Sequence, residues 1–335
     1  MNLKEKLLTL EGLIGNTPMI KINMLYKNKP ISVYTILEYY NYSGSIKDRM
    51  ALYILKEAYK ENILTKDSII LEATSGNTGI SFASLGAFLN LKVEIVMPEW
   101  MSDERKRLLK AFNSKLTLIS KEDGGFIECV ALTKEIAKKN NKYFLPAQFE
   151  NNNNVLAHYY STGPEILASL NRYKLNPDIF IAGVGTGGTV MGIGKFLKEQ
   201  NNNLKIHPLE PQNSPTLSTG ISHGEHRIQG ISDEFIPDIL KLEKLDSIVQ
   251  VDDGDAIVMS QMLSKYLGLG VGISSGANLI GAIKLASKDI NENKIVITVF
   301  PDDNKKYLTT DLSKEQKIEE DFISKDIQLL DFFTL

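Results

Sequence analysis

One lysine of this 335-residue chain stands where it could act as a nucleophile. Lys47 lies in SGSIKDRMA, Ser43 to Ala51, and the pattern predicts that it falls in the first turn of a helix, after a strand and a glycine. The field of a helix start, together with partial burial, would lower the pKa of this amine. A free amine can form an imine with a carbonyl compound. The alternative is an ordinary exposed lysine.

Two glycine-containing loops are typical of anion binding. EATSGNTG, Glu72 to Gly79, follows a predicted strand and opens a helix, whose free N–H groups favour a carboxylate or phosphate, although an ordinary capped turn has the same pattern. GVGTGGT, Gly183 to Thr189, resembles a cradle in which backbone N–H groups surround one phosphate. The cradle residues are Gly185, Thr186, Gly187, Gly188 and Thr189. Alone, this loop also fits a dinucleotide site, with Glu210 as the ribose ligand.

A third loop, GISSGAN, Gly272 to Asn278, also precedes a helical stretch. Its serines could present a neutral hydroxyl to a ring nitrogen, or Ser275 could simply cap the helix. A lysine nucleophile, a phosphate cradle, a carboxylate loop and such a hydroxyl are together what a pyridoxal phosphate enzyme needs to act on an amino acid. A dinucleotide enzyme needs no such lysine, so the combination favours pyridoxal 5′-phosphate.

The elements that must position these loops alternate between strand and helix. Strands are predicted at Ser68–Ala73, Lys92–Glu99 and Asp178–Val184, among others, and helices near Ser45–Asn62 and Phe126–Asn140. Two asparagine tracts, 151–154 and 201–203, are predicted to be loops. This alternation indicates an α/β fold with parallel sheets that helices cover on both faces.

Composition excludes several classes of function. The net charge of −3 provides no broad basic face, so we expect neither nucleic acid nor an anionic membrane as a partner. The only cysteine, Cys129, suits a reducing compartment and is predicted to be a small buried hydrophobe. The first residues are charged early and do not form a signal peptide, and the longest uncharged run, Tyr266 to Ile283, is interrupted by glycines. We therefore expect a cytoplasmic protein.

Several motifs in a characteristic order give the chain a family resemblance. SIKDR, TSGNTG, GTGGT, STGPEI, HRIQGI and GISSGA occur between about Ile14 and Thr310. In these motifs the chain resembles the cysteine synthase and cystathionine β-synthase family, which has fold type II of the pyridoxal phosphate enzymes, similar to the tryptophan synthase β-subunit. The resemblance implies a small, mobile substrate-binding lobe at 48–150, a larger cofactor-binding lobe from 1–47 plus 151–320, and a C-terminal tail at 321–335.

The resemblance also implies roles for individual residues. Lys47 would form the imine with the cofactor, Asn77 would hydrogen-bond the cofactor's 3′-oxygen, and Ser274, rather than Ser275, would meet the pyridine nitrogen. The cradle would hold the phosphate, and Gly230 would border the substrate. The predicted substrate-carboxylate site consists of Thr74, Ser75, Gly76, Asn77, Thr78 and Gln148. The resemblance implies a homodimer, and it implies no metal.

The segment GISDEFIP departs from the family pattern. Ordinary cysteine synthases resemble the chain on both sides of it but have small uncharged residues where Asp233 and Glu234 stand. A carboxylate near the substrate's β-carbon would repel bisulfide, at about 4 kcal/mol for two unit charges 4 Å apart, and would accept a proton from water. The resemblance therefore implies a cysteine (hydroxyl) lyase that makes L-serine and hydrogen sulfide from L-cysteine and water, with Asp233 as the base and Glu234 in a secondary role.

Other functions stay open on the sequence. If both acids point to solvent, the enzyme would be an O-acetylserine sulfhydrylase (a cysteine synthase), and cystathionine or lanthionine formation is a further alternative. A non-catalytic subunit that binds a partner's C-terminal carboxylate belongs to another class, and an intact Lys47 argues against it. A dinucleotide-dependent oxidoreductase is the third class.

Overall fold

The computed structural model describes residues 1–221, 224–232, 234–288 and 293–335. In these ranges the helices are α1 (Leu3–Glu11), α2 (Lys47–Lys60), α3 (Asn77–Leu89), α4 (Asp103–Ala111), α5 (Gly125–Lys139), α6 (Asn153–Ala157), α7 (Gly163–Arg172), α8 (Gly188–Gln200), α9 (Thr216–Thr219), α10 (Asp253–Leu267) and α11 (Ile273–Ala286). The strands are β1 (Met19–Tyr26), β2 (Lys29–Leu37), β3 (Ile69–Ala73), β4 (Lys92–Pro98), β5 (Lys115–Ile119), β6 (Tyr143–Phe144), β7 (Ile179–Gly183), β8 (Lys205–Pro211), β9 (Val249–Val251), β10 (Val296–Phe300) and β11 (Ile327–Thr334). A π-helical turn, His158–Thr162, joins α6 to α7.

The larger sheet has seven strands in the order β11-β1-β2-β10-β7-β8-β9. From β2 to β9 all neighbours are parallel, and β1 is antiparallel to both β2 and β11. Side chains alternate between its two faces, so Ile181 packs in one core, and Phe180 and Ala182 in the other. Helices α10 and α11 cover the first face, and α8 covers the second.

The smaller sheet consists of four parallel strands in the order β5-β4-β3-β6. Ile70 and Ile95 pack toward α2 and α3, whereas Leu71 and Val96 pack toward α5. Two mostly parallel sheets, each between helical layers, confirm the predicted α/β fold. The division into lobes at 48–150 and 151–320 stays a prediction.

Cys129 is buried on α5, as predicted, in the core that Phe126 and Phe149 also occupy. Burial raises the pKa of its thiol to about 12. Because the thiolate is the reactive form, Cys129 acts as a packing residue.

One asparagine tract differs from the prediction, and the C-terminal tail packs on the larger sheet. Within the segment 321–335, β11 pairs with β1 along the sheet edge, with Ile22 opposite Phe332. Asn153 and Asn154 belong to α6 rather than to a loop. No helix in the described ranges is both long and apolar enough to span a membrane.

Candidate active site

A cleft opens where the carboxyl ends of β3, β7 and β10 meet the starts of α2 and α11. Ligands in open α/β sheets bind at such strand ends. The predicted site residues that line it are Lys47, Thr74, Ser75, Gly76, Asn77, Thr78, Gln148, Gly185, Thr186, Gly187, Thr189, Gly230 and Ser274. Gly188 of the cradle packs against Asn154 instead of lining the cleft, and Glu234 lies in a neighbouring pocket. The structure thus brings together residues up to about 230 positions apart.

Lys47 is the first residue of α2, and its backbone N–H donates to the hydroxyl of Ser45 at 3.3 Å. Ser45 also forms a β-bridge with Asp302, at the end of β10. Asp48, the residue after Lys47, is fully buried and accepts a hydrogen bond from the Ser43 N–H at 2.6 Å. Burial raises the pKa of Asp48, and the nearby cation of Lys306 opposes that rise. Buried polar contacts therefore fix the segment that carries the lysine.

The predicted phosphate cradle joins β7 to the start of α8. Gly187 has φ +87°, a conformation that favours glycine, and a Cβ on Gly185 would lie 2.5 Å from the carbonyl oxygen of Gly230. In the described part of the chain, the N–H groups of Gly185, Thr186 and Gly187 have no acceptor. Free N–H groups at a helix start suit a phosphate, so these residues fit the phosphate of pyridoxal phosphate.

Asn154 connects this cradle to the carboxylate loop, and sequence reasoning missed it. Its amide nitrogen Nδ2 donates to the hydroxyl of Thr186 and to the carbonyl of Gln148, both at 2.9 Å. A Cβ on Gly188 would lie 2.0 Å from the Asn154 side-chain oxygen, so the helix start must carry a glycine there. The only sequence signal was the asparagine tract itself.

The carboxylate loop is held by its own side chains. The Thr78 hydroxyl donates to Gln148 Oε1 at 2.6 Å, and Gln148 Nε2 donates to the carbonyl of Ala73 at 2.9 Å. The Thr74 hydroxyl accepts from the Gly76 N–H at 3.0 Å. Thr74 thus shapes the loop, and Gln148 holds Thr78 at the cleft wall.

Asn77 begins α3 and reaches across to the larger sheet. Its Nδ2 donates to Asp302 Oδ2 at 2.7 Å, and the hydroxyl of Tyr307 donates to the same oxygen at 2.6 Å. The second Nδ2 hydrogen of Asn77 is available for an acceptor in the cleft, such as the 3′-oxygen of the cofactor. Sequence reasoning did not find this contact, which joins residues 225 positions apart.

Of the two serines in GISSGA, only Ser274 lines the cleft. Ser275 lies in the first turn of α11, and its hydroxyl is buried without a partner in the part of the chain that the structure describes. The position of Ser274 fits a hydrogen bond to a ring nitrogen, and this role stays a prediction.

The loop GISDEF is fixed at its centre. Ser232 has φ +55°, in the left-handed region, and its N–H donates to the carbonyl of Val184 at 2.7 Å. Its own carbonyl accepts from His226 Nε2 at 3.2 Å. Asp233 lies outside the described residues. Glu234 is exposed and lines an outer pocket, which shares Gly230 with the cleft.

Glu210, which a dinucleotide site would use for a ribose, is fully buried and has another function. Its carboxylate accepts from the Leu217 N–H at 2.7 Å and caps the start of α9. It is therefore a structural residue.

Glu72, the first residue of EATSGNTG, is a buried acid at the end of β3. Burial raises its pKa from 4.5 to about 8, and backbone N–H groups of Gln148, Ala73 and Ala147 oppose the rise. Ala147 has φ +51°, so the turn before Gln148 is strained and held in place.

Glu72 should make stability fall as pH rises. The folded protein keeps this proton up to about pH 8, whereas the unfolded chain releases it near 4.5, so its stabilising effect is complete below pH 4.5 and lost toward pH 8. Between about pH 6 and about pH 9 the native chain should lose roughly 3 kcal/mol more free energy of unfolding than Glu72→Gln does. Urea unfolding of both proteins at the two pH values measures this difference. Parallel pH profiles would show that Glu72 does not titrate in this range.

Comparison with known proteins extends these observations. A family model described as pyridoxal-phosphate dependent enzyme matches residues 10–302. A cysteine synthase of Staphylococcus aureus (strain N315) is 41% identical over 300 residues, which are 90% of this chain and 95% of that protein. A cysteine synthase structure from Entamoeba histolytica is 36% identical with a TM-score of 0.84, and covers 95% of this chain and 93% of its own.

A hydrogen sulfide-producing enzyme from Fusobacterium nucleatum has a still more similar structure. It is 55% identical to this chain with a TM-score of 0.95, and the match covers 99% of this chain and all of that one. An aspartate-to-asparagine mutant of that enzyme, in complex with an α-aminoacrylate intermediate, is 56% identical over 97% of both chains, with a TM-score of 0.95.

Proposed function

We propose that this chain, which belongs to the pyridoxal-phosphate dependent enzyme family, converts L-cysteine and water into L-serine and hydrogen sulfide. Family membership confirms the predicted enzyme class and the predicted cofactor, pyridoxal 5′-phosphate. The observation that carries the proposal is the cleft in which Lys47, the phosphate cradle and the carboxylate loop face one another, beside an acidic loop. The relative from F. nucleatum, described as producing hydrogen sulfide, supports this choice of reaction.

Residues of this chain would supply binding and proton transfer. When bound, the cofactor withdraws electrons from the substrate's α-carbon and so weakens the bonds around it. The carboxylate loop, from Thr74 to Thr78 with Gln148, would orient the amino acid by its carboxylate. Lys47 would remove the α-proton and later return it to the same carbon. Between these steps the bond from β-carbon to sulfur breaks, and the sulfur leaves with the bonding pair as bisulfide.

The acidic loop would select water as the second reactant. A water molecule would add its hydroxyl to the β-carbon and give its proton to Asp233, from which the proton would pass through solvent to bisulfide. The sum is one cysteine and one water consumed, and one serine and one hydrogen sulfide formed. Glu234, exposed in the outer pocket, would have the secondary role of repelling bisulfide that returns.

The substitution Asp233→Asn should separate sulfide release from water addition. We expect the native chain, given L-cysteine alone, to form sulfide and serine in equal amounts. The mutant should release sulfide once but form serine roughly 10²-fold or more slowly, because a general base contributes about that much. Sulfide, serine and pyruvate are measured together.

The matched control is Glu234→Gln, which removes the neighbouring charge. It should keep serine formation within about tenfold of the native rate, since it removes a longer-range electrostatic effect. Equal loss of serine in both mutants would assign the base to the pair rather than to Asp233. Unchanged serine formation in Asp233→Asn would refute its role as the base.

Cysteine synthesis from O-acetylserine and sulfide is the second candidate, and the S. aureus relative, 41% identical over 90% of this chain, favours it. In that case the native chain would turn over cysteine poorly and make it rapidly from O-acetylserine. Cystathionine or lanthionine formation would show as a thiol amino acid replacing water as the acceptor.

Other features implied by the resemblance are also proposals. We infer a cytoplasmic homodimer, which molar mass in solution and cell fractionation would check.

We also propose that the lobe at 48–150 moves against the lobe formed by 1–47 and 151–320. Two kinds of hydrogen bond join these lobes, from Thr309 to Glu104 at 2.7 and 2.8 Å and from Asn77 to Asp302. They would have to break or adjust in such a motion.

A further inference from the structure

Arg105 occupies the boundary between the cleft and the outer pocket, and its side chain lines both. It lies on α4 and is only 1% exposed. Its Nη1 donates to the carbonyl of Ser75 at 3.0 Å, and a Cβ on Gly76 would lie 2.9 Å from the guanidinium carbon. The glycine of TSGNTG therefore leaves room for this arginine against the carboxylate loop.

The guanidinium of Arg105 is incompletely satisfied. Among the residues that the structure describes, its buried Nε has no hydrogen-bond partner and no acid forms an ion pair with the guanidinium. The ring of Tyr307 lies 5.4 Å from it, and the Tyr307 hydroxyl is itself bonded to Asp302. A buried charge without an anionic partner is costly, so a site that retains one is suited to an anion that arrives during function.

We propose that Arg105 binds the sulfur that leaves the substrate, as bisulfide, and passes it from the cleft to the outer pocket. This inference rests on the proposed function. When the bond from β-carbon to sulfur breaks, the sulfur carries away the electron pair, and the cation stabilises the charge that develops there. The anion then takes up the proton lost by the added water.

The outer pocket supports this direction of movement. Its other cation, Lys121, is exposed and already paired with Glu225 at 3.2 Å. Burial lowers the pKa of His226, so that the imidazole is neutral at neutral pH. Arg105 is thus the unpaired cation among the described residues of this pocket, and the exposed Glu234 farther out would expel a bisulfide that has passed it.

The only tryptophan, Trp100, lines the same outer pocket and provides a direct measurement. The probe is iodide, a soft monovalent anion like bisulfide, which quenches tryptophan fluorescence on contact. In the native holoenzyme we expect quenching with a saturable component. Arg105→Gln should remove that component and leave a linear collisional one, and Arg105→Lys should keep it with weaker affinity.

Lys121→Gln is the matched control, because the Lys121 amine lies 5.5 Å from the centre of the Trp100 ring. It should leave the saturable component unchanged. Saturable quenching that survives in Arg105→Gln, or disappears in Lys121→Gln, would overturn the proposal. Arg105→Lys keeps the test valid if the glutamine mutant does not fold.

Kinetics of the reverse direction give a second test. With L-serine and sulfide as substrates, Arg105→Gln should raise the KM for sulfide roughly 10- to 100-fold, the effect of losing a charged hydrogen bond. Arg105→Lys keeps the charge and should raise this KM by a smaller factor. The dissociation constant of L-serine should change less than about threefold. If Arg105 acted only by holding the carboxylate loop, its substitution would weaken the binding of serine instead. A larger effect on serine than on sulfide would overturn the proposal.

Failure of this inference and failure of the proposed function are distinguishable. If the native chain releases no sulfide from cysteine, the proposed function fails, whatever iodide does. If sulfide is released but the iodide component does not depend on Arg105, only this inference fails.

Discussion

Replacing Lys47 by alanine should lower cysteine turnover by roughly 10³-fold or more, because the substitution removes both the covalent attachment of the cofactor and the proton carrier at the α-carbon. Lys47 lines the cleft at the first residue of α2, where the Ser45 bridge to Asp302 fixes its backbone. The visible absorbance of the bound cofactor should change as well, because the lysine no longer reacts with it. Sulfide release and absorbance are measured on the purified proteins.

Lys60→Ala provides the matched control for this experiment. Lys60 ends the same helix, and its side chain is 61% exposed and paired with Glu57. Its replacement should leave turnover and absorbance within about twofold of the native values, as expected for a surface substitution. If Lys47→Ala kept more than a tenth of the native turnover, the nucleophile would have to be another lysine.

Replacing Arg49 by methionine should have the largest effect on stability, about 3–5 kcal/mol of unfolding free energy. The buried guanidinium binds Glu38 through Nε at 2.6 Å and Glu165 through Nη1 at 2.7 Å, and so joins the turn after β2 to α2 and α7. Burial disfavours the charge, but the two carboxylates outweigh it and raise the pKa of Arg49 above its usual value. Without the arginine, Glu38 would be a buried carboxylate without its cation.

Urea unfolding of Arg49→Met measures this loss, with Arg172→Met as the control. Arg172 is exposed at the end of α7, so its substitution should change stability by less than about 0.5 kcal/mol. The double mutant Arg49→Met, Glu38→Met should recover part of the loss, since it removes the unpaired acid. A loss below about 1 kcal/mol for Arg49→Met would contradict the expected cost of leaving Glu38 buried without its cation.

The sequence was most informative where the chemistry lies in one short segment. Lys47, the cradle from Gly185 to Thr189 and the loop from Thr74 to Thr78 each follow a local pattern of strand, turn and helix start, and the structure brings all three to one cleft. The strand ends of parallel sheets meet at one edge, so the local patterns were sufficient to predict the meeting point.

Contacts between distant segments could not be predicted in the same way. Asn154 and Thr186 are 32 residues apart, and Asn77 and Asp302 are 225 residues apart. Neither pair leaves a periodic pattern, because each depends on how two loops pack. The pairing of β11 with β1 was missed for the same reason, since a sheet edge depends on a partner some 308 residues away.

Asn154 couples ligand binding at the phosphate cradle to ligand binding at the carboxylate loop. One amide nitrogen holds both the Thr186 hydroxyl of the cradle and the Gln148 carbonyl of the carboxylate loop. To the extent that a phosphate in the cradle orders this amide, it also orders the segment that receives an amino acid. Linkage then requires the reverse effect at equal strength, so an enzyme saturated with its amino acid would bind its cofactor with higher affinity than the resting enzyme does.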